Sequence, residues 1–439
     1  MMHFSKYVHL LEIESNRFIY NIANGIAIAL QPELFNLVNT FKCNPARLQL
    51  IHPELFDAFQ TTEMVINDEI DEAERLIRRF EQLDNDPSKF GIIVNPTLDC
   101  NLRCWYCYET HQSGSMMKPG VIESVKKLID DKVSDDRMTK LSLSFFGGEP
   151  LLGWSKVVIP LLDYAVKVCR NRSIYFSTGF TTNGVLLSDQ KFNELSDLGL
   201  NNTSFQISFD GNRVLHDSSR VGISKQPTYD KIMRNVALGA SKGFLMNLRF
   251  NYTPLTIDSF FDVLTELEKL PEASKQQIIC NFQQVWQTNS SGRDAHKKAL
   301  LLQNAFIDSG IQTESDTLFH RQVCYADSPN NIVVNYNGDI YKCTAREFYP
   351  ASREGVLTPD GKIEWNERFH ARMAIKHINS ACRECEIMPI CDGGCSQKKL
   401  DRDNTTTCAY NRTKIDKRKF IIGSLYKNIL KRTIDIDNI

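Results

Sequence analysis

The chain lacks any stretch of about 18 uncharged apolar residues, so no segment reads as a membrane-crossing helix. It lacks an excess of charge of either sign: 52 Lys and Arg against 53 Asp and Glu leave a formal net charge of −1. Without a basic surplus to neutralise phosphates, a nucleic-acid substrate is disfavoured. The N-terminus, MMHFSKYVHLLEIESNRF, has no uninterrupted apolar core before a small-residue cleavage site. No export signal is read, and a cytoplasmic location with no membrane partner is expected. Internal repeats and low-complexity segments are also missing. What remains is an ordinary globular composition, 42% hydrophobic and 24% charged, over 439 residues. That length suggests two or three domains.

Against this background, 13 cysteines need a reason. In a reducing cytosol structural disulfides are a poor one, which leaves metal ligands, catalytic thiols and buried small apolar residues. Cys43, Cys169 and Cys280 stand alone and read as core residues. The other ten form two groups: Cys100, Cys104 and Cys107, then Cys324, Cys343, Cys382, Cys385, Cys391, Cys395 and Cys408.

Residues 1–88 differ from the rest. Tyr7–Glu14 and Arg17–Asn21 are runs of β-formers split by Ser15-Asn16, which predicts a hairpin, and Ile26–Leu30 adds a third strand. Helical spacing follows over Pro32–Phe41 and Glu69–Leu83, the latter stopped by Asp84-Asn85-Asp86-Pro87. A small winged-helix-like domain is expected. From 89 to 285, strand candidates Phe90–Val94, Lys140–Phe146, Ile174–Phe180, Thr203–Phe209, Phe244–Asn251 and Gln277–Phe282 alternate with helix-like stretches. Single helices between strands imply βαβ units and a parallel sheet, either doubly wound or an incomplete barrel. Ligands of either sit at the carboxyl ends of the strands. Residues 286–323 read as a connector, 324–408 as a metal-organised segment, and 409–439 as a solvated C-terminal helix.

Cys100-x3-Cys104-x2-Cys107 directly follows the first of these strands. Three soft thiolates favour iron–sulfur or zinc. A closed zinc site needs a fourth ligand, for which His111 is the nearest candidate. Three ligands leave one iron of a cubane open to a chelating cosubstrate. Ser144-Phe145-Phe146-Gly147-Gly148-Glu149-Pro150 ends the second strand; its glycines allow close backbone approach, and Glu149 can accept from an ammonium.

These motifs resemble the radical S-adenosylmethionine superfamily. The resemblance implies a partial (β/α)6 TIM-like barrel, a [4Fe–4S] cluster on Cys100, Cys104 and Cys107, and Tyr106 beside the adenine. It places Gly147, Gly148 and Glu149 at the cosubstrate. It also implies that Asn183, Ser208 and Arg220, at later strand ends, bind the ribose and carboxylate of S-adenosylmethionine. Asp210 reads equally as a turn cap, with His216 and Asp217 close by. The second cysteine group resembles the SPASM domain, with Gly338 between Cys324 and Cys343. By that resemblance, Cys382, Cys385, Cys391 and Cys408 hold one auxiliary [4Fe–4S] cluster and Cys324, Cys343 and Cys395 another. The second cluster has either an open iron or a fourth ligand from Asp327 or Cys280.

Enzymes of this type mostly modify peptides. The expected activity is maturation of a ribosomally made precursor peptide by a thioether or carbon–carbon crosslink or a related oxidation. Residues 1–88 would serve as its leader-peptide recognition domain, and an external flavodoxin- or ferredoxin-type reductant is implied. The alternatives are an anaerobic sulfatase-maturing enzyme and a non-catalytic iron–sulfur or zinc scaffold. In the sulfatase-maturing family an aspartate follows the second SPASM cysteine, whereas Thr344 follows Cys343 here.

Overall fold

The computed structural model describes residues 2–223, 225–285, 287–288, 293–313, 324–375, 380–402 and 407–426. The chain divides into two compact units. The first gathers Met1–Asn85, Ser315–Asp327 and Arg372–Ile439, and the second holds Asp86–Glu314 and Ser328–Ala371.

In the first unit, β1 (Met2–Phe4) precedes the hairpin β2 (Val8–Ile13) and β3 (Asn16–Asn21), with β4 (Ile26–Ala29) on the far side of β3. The hairpin turn is Glu14-Ser15, one residue earlier than expected, because Ile13 pairs with Asn16. Helices α1 (Pro32–Phe41), α2 (Pro45–Ile51) and α3 (Pro53–Thr61) each open on proline. Its fixed φ and missing N–H suit the first helical turn. β5 (Val65–Asn67) returns to pair antiparallel with β1. Asp71 then caps α4 (Glu72–Asp84), its carboxylate accepting from the Glu74 amide at 2.9 Å. Cys43 lies exposed between α1 and α2, not in the core. The helix break at Asn44-Pro45 puts it on a connection, where alternation offers no guide.

The second unit runs β6 (Lys89–Val94), α5 (Pro119–Val133), β7 (Lys140–Phe145), α6 (Ile159–Asn171), β8 (Tyr175–Thr182) and α7 (Asp189–Asp197). It continues with β9 (Ser204–Phe209), α8 (Arg213–Ser219), α9 (Tyr229–Ser241), β10 (Leu245–Tyr252), α10 (Phe260–Leu267), α11 (Glu272–Lys275), β11 (Ile278–Gln284) and α12 (Arg293–Asp308). Strands β6 to β11 all pair parallel with their sequence neighbours. The barrel is open, because β6 and β11 each pair outward. β12 (Gln312–Thr313) joins β11, and β13 (Asn331–Val334) joins β6 in parallel. β14 (Asp339–Tyr341), β15 (Gly355–Leu357) and β16 (Ile363–Trp365) then follow antiparallel, giving an eleven-stranded sheet.

Period-two alternation separates the faces of this sheet. Leu141, Leu143, Phe145, Phe205, Ile207, Phe209, Met246, Leu248 and Phe250 form one core with the helices. Cys169 and Cys280 belong to that core, as expected of isolated cysteines. The opposite face carries Ser142, Ser144, Ser204, Gln206, Asn247 and Arg249. Gly91 and Gly179 let its polar side chains close over the sheet: a β-carbon at 179 would meet Ser204 Oγ at 2.8 Å.

The remaining helices are α13 (Glu367–Ile375), α14 (Ser380–Arg383), α15 (Met388–Cys391), α16 (Ser396–Arg402) and α17 (Lys414–Leu425). The two ends of the chain share a core in the first unit. Tyr7, Leu11, Ile13 and Tyr20 from the hairpin and Leu76, Ile77 and Phe80 from α4 pack with Ile387, Met388 and Ile390 and with Ile421, Ile422 and Leu425. Among the described residues no helix is long and apolar enough to cross a membrane.

Candidate active site

The carboxyl ends of β6 to β10 gather the motifs. Cys100, Cys104 and Cys107 lie on the loop after β6, buried, half-buried and exposed in that order. The loop is pinned by a short antiparallel bridge: the Arg103 amide donates to the Val221 carbonyl at 2.8 Å and Ile223 to Asn101 at 3.1 Å. Burial pushes the Cys100 thiol up to about 12, with Glu149 adding to the rise. Burial likewise raises Cys104 and Cys107, and Arg220 opposes the rise at all three thiols. Arg220 is thus a common cation favouring thiolate across the triplet. Cys100 Sγ faces the Leu102 amide at 3.4 Å and Asn183 Nδ2 at 3.8 Å, and Cys107 Sγ is 3.6 Å from His111 Nε2. Among the described residues no three His, Cys, Asp or Glu side chains converge as ligands of a single ion would. A cubane distributes its cysteines over different irons and requires less convergence.

Gly147 and Gly148 are needed for backbone contact with this loop. A β-carbon at 147 would lie 2.5 Å from the Thr97 carbonyl oxygen, and one at 148 would lie 2.2 Å from that of Asp99. With φ at +103°, Gly147 is also in a conformation that other residues avoid. The two segments zip together, Gly148 N donating to Thr97 O at 3.1 Å and Glu149 N to Asp99 O at 2.8 Å. Glu149 is fully buried. Its carboxylate accepts from Thr182 Oγ1 at 2.7 Å, the Asn183 amide at 2.8 Å and the Leu151 amide at 3.0 Å. Burial pushes its carboxyl up and these donors oppose the rise. Glu149 therefore ties the second strand end to the third, and Asn183 Nδ2 reaches on to Asn101 Oδ1 at 2.7 Å in the cysteine loop.

A second polar knot centres on Tyr106, which lies within the cysteine loop. Its hydroxyl donates to Asp210 Oδ1 at 2.8 Å and accepts from Arg220 Nη1 at 2.7 Å and Asn251 Nδ2 at 3.2 Å. Asp210 also accepts from Ser219 Oγ at 2.7 Å and faces Arg220 at 3.8 Å, both ions of that pair being buried. Burial raises the Tyr106 phenol far above its usual range, so it stays protonated and able to donate. Ser208 is half-buried at the end of β9. His216 is instead a core residue, packed on Phe209 and Tyr229, with burial holding it well below its usual value. Asp217 accepts from the Thr228 and Tyr229 amides at 2.7 and 2.9 Å and serves the turn.

Asn251 and Gln287 belong to this site although no sequence motif marks them. A polar residue ending β10 was the available signal for Asn251. Gln287, whose Nε2 donates to the Tyr106 carbonyl at 2.6 Å, carried none. Arg220 Nε and Gln287 Oε1 are buried without a partner. Such atoms are costly unless a bound polar group meets them. The three-thiol loop and these orphaned atoms suit an open-iron cluster with a polar cosubstrate.

In the first unit, Cys382, Cys385, Cys391 and Cys408 are close enough for each of the other three thiols to raise Cys391, which burial already pushes up to about 11. Asp392, Gly393 and Gly394 take positive φ in succession and turn the chain tightly after Cys391. Burial acts to raise Cys408, but the Arg412, Tyr410 and Asn411 amides bring it below the ordinary thiol value. Cys395, Cys391 and Cys324 all act on Tyr410, which burial pushes up to about 12. Cys343 follows β14 in the second unit, where Tyr108 Oη donates to the Thr344 carbonyl at 2.6 Å. Cys280 points into the helix-facing core and away from the polar face.

Residues 94–264 match the Radical SAM superfamily. A cysteine-type anaerobic sulfatase-maturating enzyme of Clostridium novyi is 22% identical over 353 residues, covering 70% of this chain and 88% of that protein. The radical SAM cyclopropyl synthase TigE of Paramaledivibacter caminithermalis is 22% identical over 444 residues, covering 89% of each. A solved structure of native anSMEcpe with bound AdoMet and Cp18Cys peptide has a TM-score of 0.58 at 19% identity, covering 80% of this chain and 98% of that one. Residues 94–264 thus carry the Radical SAM domain of a modifying enzyme related to the sulfatase maturases, and the chain shares the fold of the anSMEcpe structure.

Proposed function

We propose that this enzyme matures a ribosomally made peptide by an oxidative crosslink, using one catalytic and two auxiliary [4Fe–4S] clusters. The observation that carries the radical part is the zipper joining the Cys100 loop, Gly147-Gly148-Glu149 and Asn183. Cys100, Cys104 and Cys107 would hold the catalytic cluster, with Tyr106, Gly147, Gly148, Glu149, Asn183, Ser208 and Arg220 around S-adenosylmethionine. When bound, this pair supplies a 5′-deoxyadenosyl radical by reductive cleavage, for abstraction of a substrate hydrogen. Around it, Arg220 favours the thiolates, Asp210 and Tyr106 fix Arg220, and Glu149 locks the strand ends so that the loop does not drift. Cys382, Cys385, Cys391 and Cys408 would hold one auxiliary cluster, and Cys324, Cys343 and Cys395 are assigned to the other. An external flavodoxin- or ferredoxin-type protein would deliver the electron.

The strands and helices of residues 2–84 support a leader-binding role, as does the extent of the match to the cyclopropyl synthase. Thr344, in place of an aspartate, weighs against formylglycine formation. The Clostridium novyi relative favours that second reading. Anaerobically reconstituted wild type should hold about twelve irons, falling to about eight in a Cys100/Cys104/Cys107→Ala triple variant. Reduced wild type should cleave S-adenosylmethionine. Conversion of a cysteine-containing sulfatase peptide to formylglycine, with no modification of a peptide encoded beside the enzyme, would decide for the second reading.

A further inference from the structure

Arg249 sits mid-strand on β10, on the face away from the helices, with Ser208 beside it on β9 and Asn281 on β11. It is half-buried. Its Nε donates to Asn251 Oδ1 at 3.0 Å, and Asn251 in turn reaches Tyr106 and Asp210. Among the described residues, the two terminal nitrogens of this guanidinium meet no protein acceptor, and it forms no ion pair. No strand residue of β6 to β11 on this face is acidic. Asp210, beyond Asn251, is already engaged by Tyr106, Ser219 and Arg220. Two residues earlier on the same face, Asn247 Oδ1 is buried without a partner.

A partly desolvated cation with no counter-charge is unfavourable unless a ligand supplies one. A guanidinium with both terminal N–H groups open offers the planar fork that carboxylates take in bidentate fashion. We infer that Arg249 is the centre of a carboxylate-binding subsite inside the barrel, beside the Tyr106–Asp210–Arg220 knot. The inference rests on the radical-enzyme reading above and adds the charge of what enters. Because the cosubstrate carboxylate is already assigned to Asn183, Ser208 and Arg220, the carboxylate that enters here is that of an acidic residue of the peptide.

The test uses full-length reconstituted holoenzyme, wild type and Arg249→Met, with Arg249→Lys keeping charge and approximate length and Arg249→Gln keeping polarity without charge. Equilibrium dialysis compares S-adenosylmethionine with its decarboxylated form. Reduced enzyme is also offered two decapeptide pools that differ only in a central Asp or Asn, with stimulation of cosubstrate cleavage as the readout. Cosubstrate affinity is expected to hold, wild type to prefer the Asp pool by roughly 10-fold or more, Arg249→Met to lose that preference and Arg249→Lys to recover part of it. A roughly 10- to 100-fold loss of S-adenosylmethionine affinity in Arg249→Met, with the decarboxylated form unchanged, would place Arg249 at the cosubstrate and overturn the inference. Variants that retain their iron yet change neither cosubstrate affinity nor pool preference overturn the inference. Failure of wild type itself to cleave S-adenosylmethionine would instead count against the function proposed above.

Discussion

Replacing Gly148 with alanine would separate two roles for the Gly147-Gly148-Glu149 turn, contact with a ligand and contact with the cysteine loop. The new β-carbon would lie 2.2 Å from the Asp99 carbonyl oxygen and 2.7 Å from the Leu98 carbonyl carbon. Both are backbone atoms, so no side chain can rotate away. Relief requires the loop and the strand end to part by about an ångström, since real contacts rarely fall below about 3.2 Å. That movement breaks the 3.1 Å bond from Gly148 to Thr97 and the 2.8 Å bond from Glu149 to Asp99. Two hydrogen bonds at about 1 kcal/mol each, plus ~1–3 kcal/mol of overpacking, place ~3–5 kcal/mol against the closed loop. At ~1.4 kcal/mol per factor of ten, the displaced loop gains roughly 100- to 4,000-fold in relative population. Iron analysis, electron paramagnetic resonance and S-adenosylmethionine cleavage on the reconstituted variant should show about four irons lost and cleavage near background. Gly120→Ala is the control: a β-carbon there would have nothing within 4 Å, and the variant should match wild type. Full iron content and wild-type cleavage in Gly148→Ala would refute the zipper.

Tyr106→Phe removes a hydroxyl with three partners and leaves Arg220 and Asp210 to re-pair across 3.8 Å. It should cost ~1–3 kcal/mol in thermal or urea unfolding and weaken S-adenosylmethionine binding several-fold; a variant equal to wild type in both would contradict the knot's role. His9 gives a pH dependence. Burial, with Lys42 and Arg418 adding, lowers it from 6.5 to about 4. The unfolded chain therefore takes up the proton first, and stability falls as pH drops from about 6.5 to about 4, with no contribution above that window. The full shift would correspond to ~3 kcal/mol, and partial exposure reduces this to ~1–2 kcal/mol. Urea midpoints across pH should show a wild-type slope that His9→Gln flattens; parallel slopes would remove His9 from the account.

The barrel was legible because β7, β9 and β10 alternate apolar and polar residues and because helix-like stretches separate the strand candidates from β7 to β11. The observed boundaries fall within two residues of those expected, as at Lys140–Phe145. The continuation of the sheet through β13 to β16 was not legible. Those strands are three or four residues long, too short for alternation to show, and sit among cysteines that drew a metal-based reading. The cysteine loop and Glu149 could be found from spacing. Their mutual locking could not, because the contact between Gly148 and Asp99 joins residues 49 positions apart through backbone atoms. Arg249 carried no motif; only the polar face around it gives it meaning.

The core shared by the two chain ends sets an order of events during synthesis. Tyr7, Leu11, Tyr20, Leu76 and Phe80 emerge early, but the residues that cover them, Ile387 to Leu425, arrive about 300 residues later. At ~5–20 residues per second that is roughly 15 to 60 s with an apolar face uncovered. The barrel, whose strands pair with their sequence neighbours, can complete most of its sheet in that interval. The segment that holds Tyr7 to Phe80 is therefore made before the barrel and finished after it. Its closure coincides with the arrival of the cysteines at 382 to 408, so a nascent chain interrupted before them would present a sticky amino-terminal sheet to chaperones and proteases.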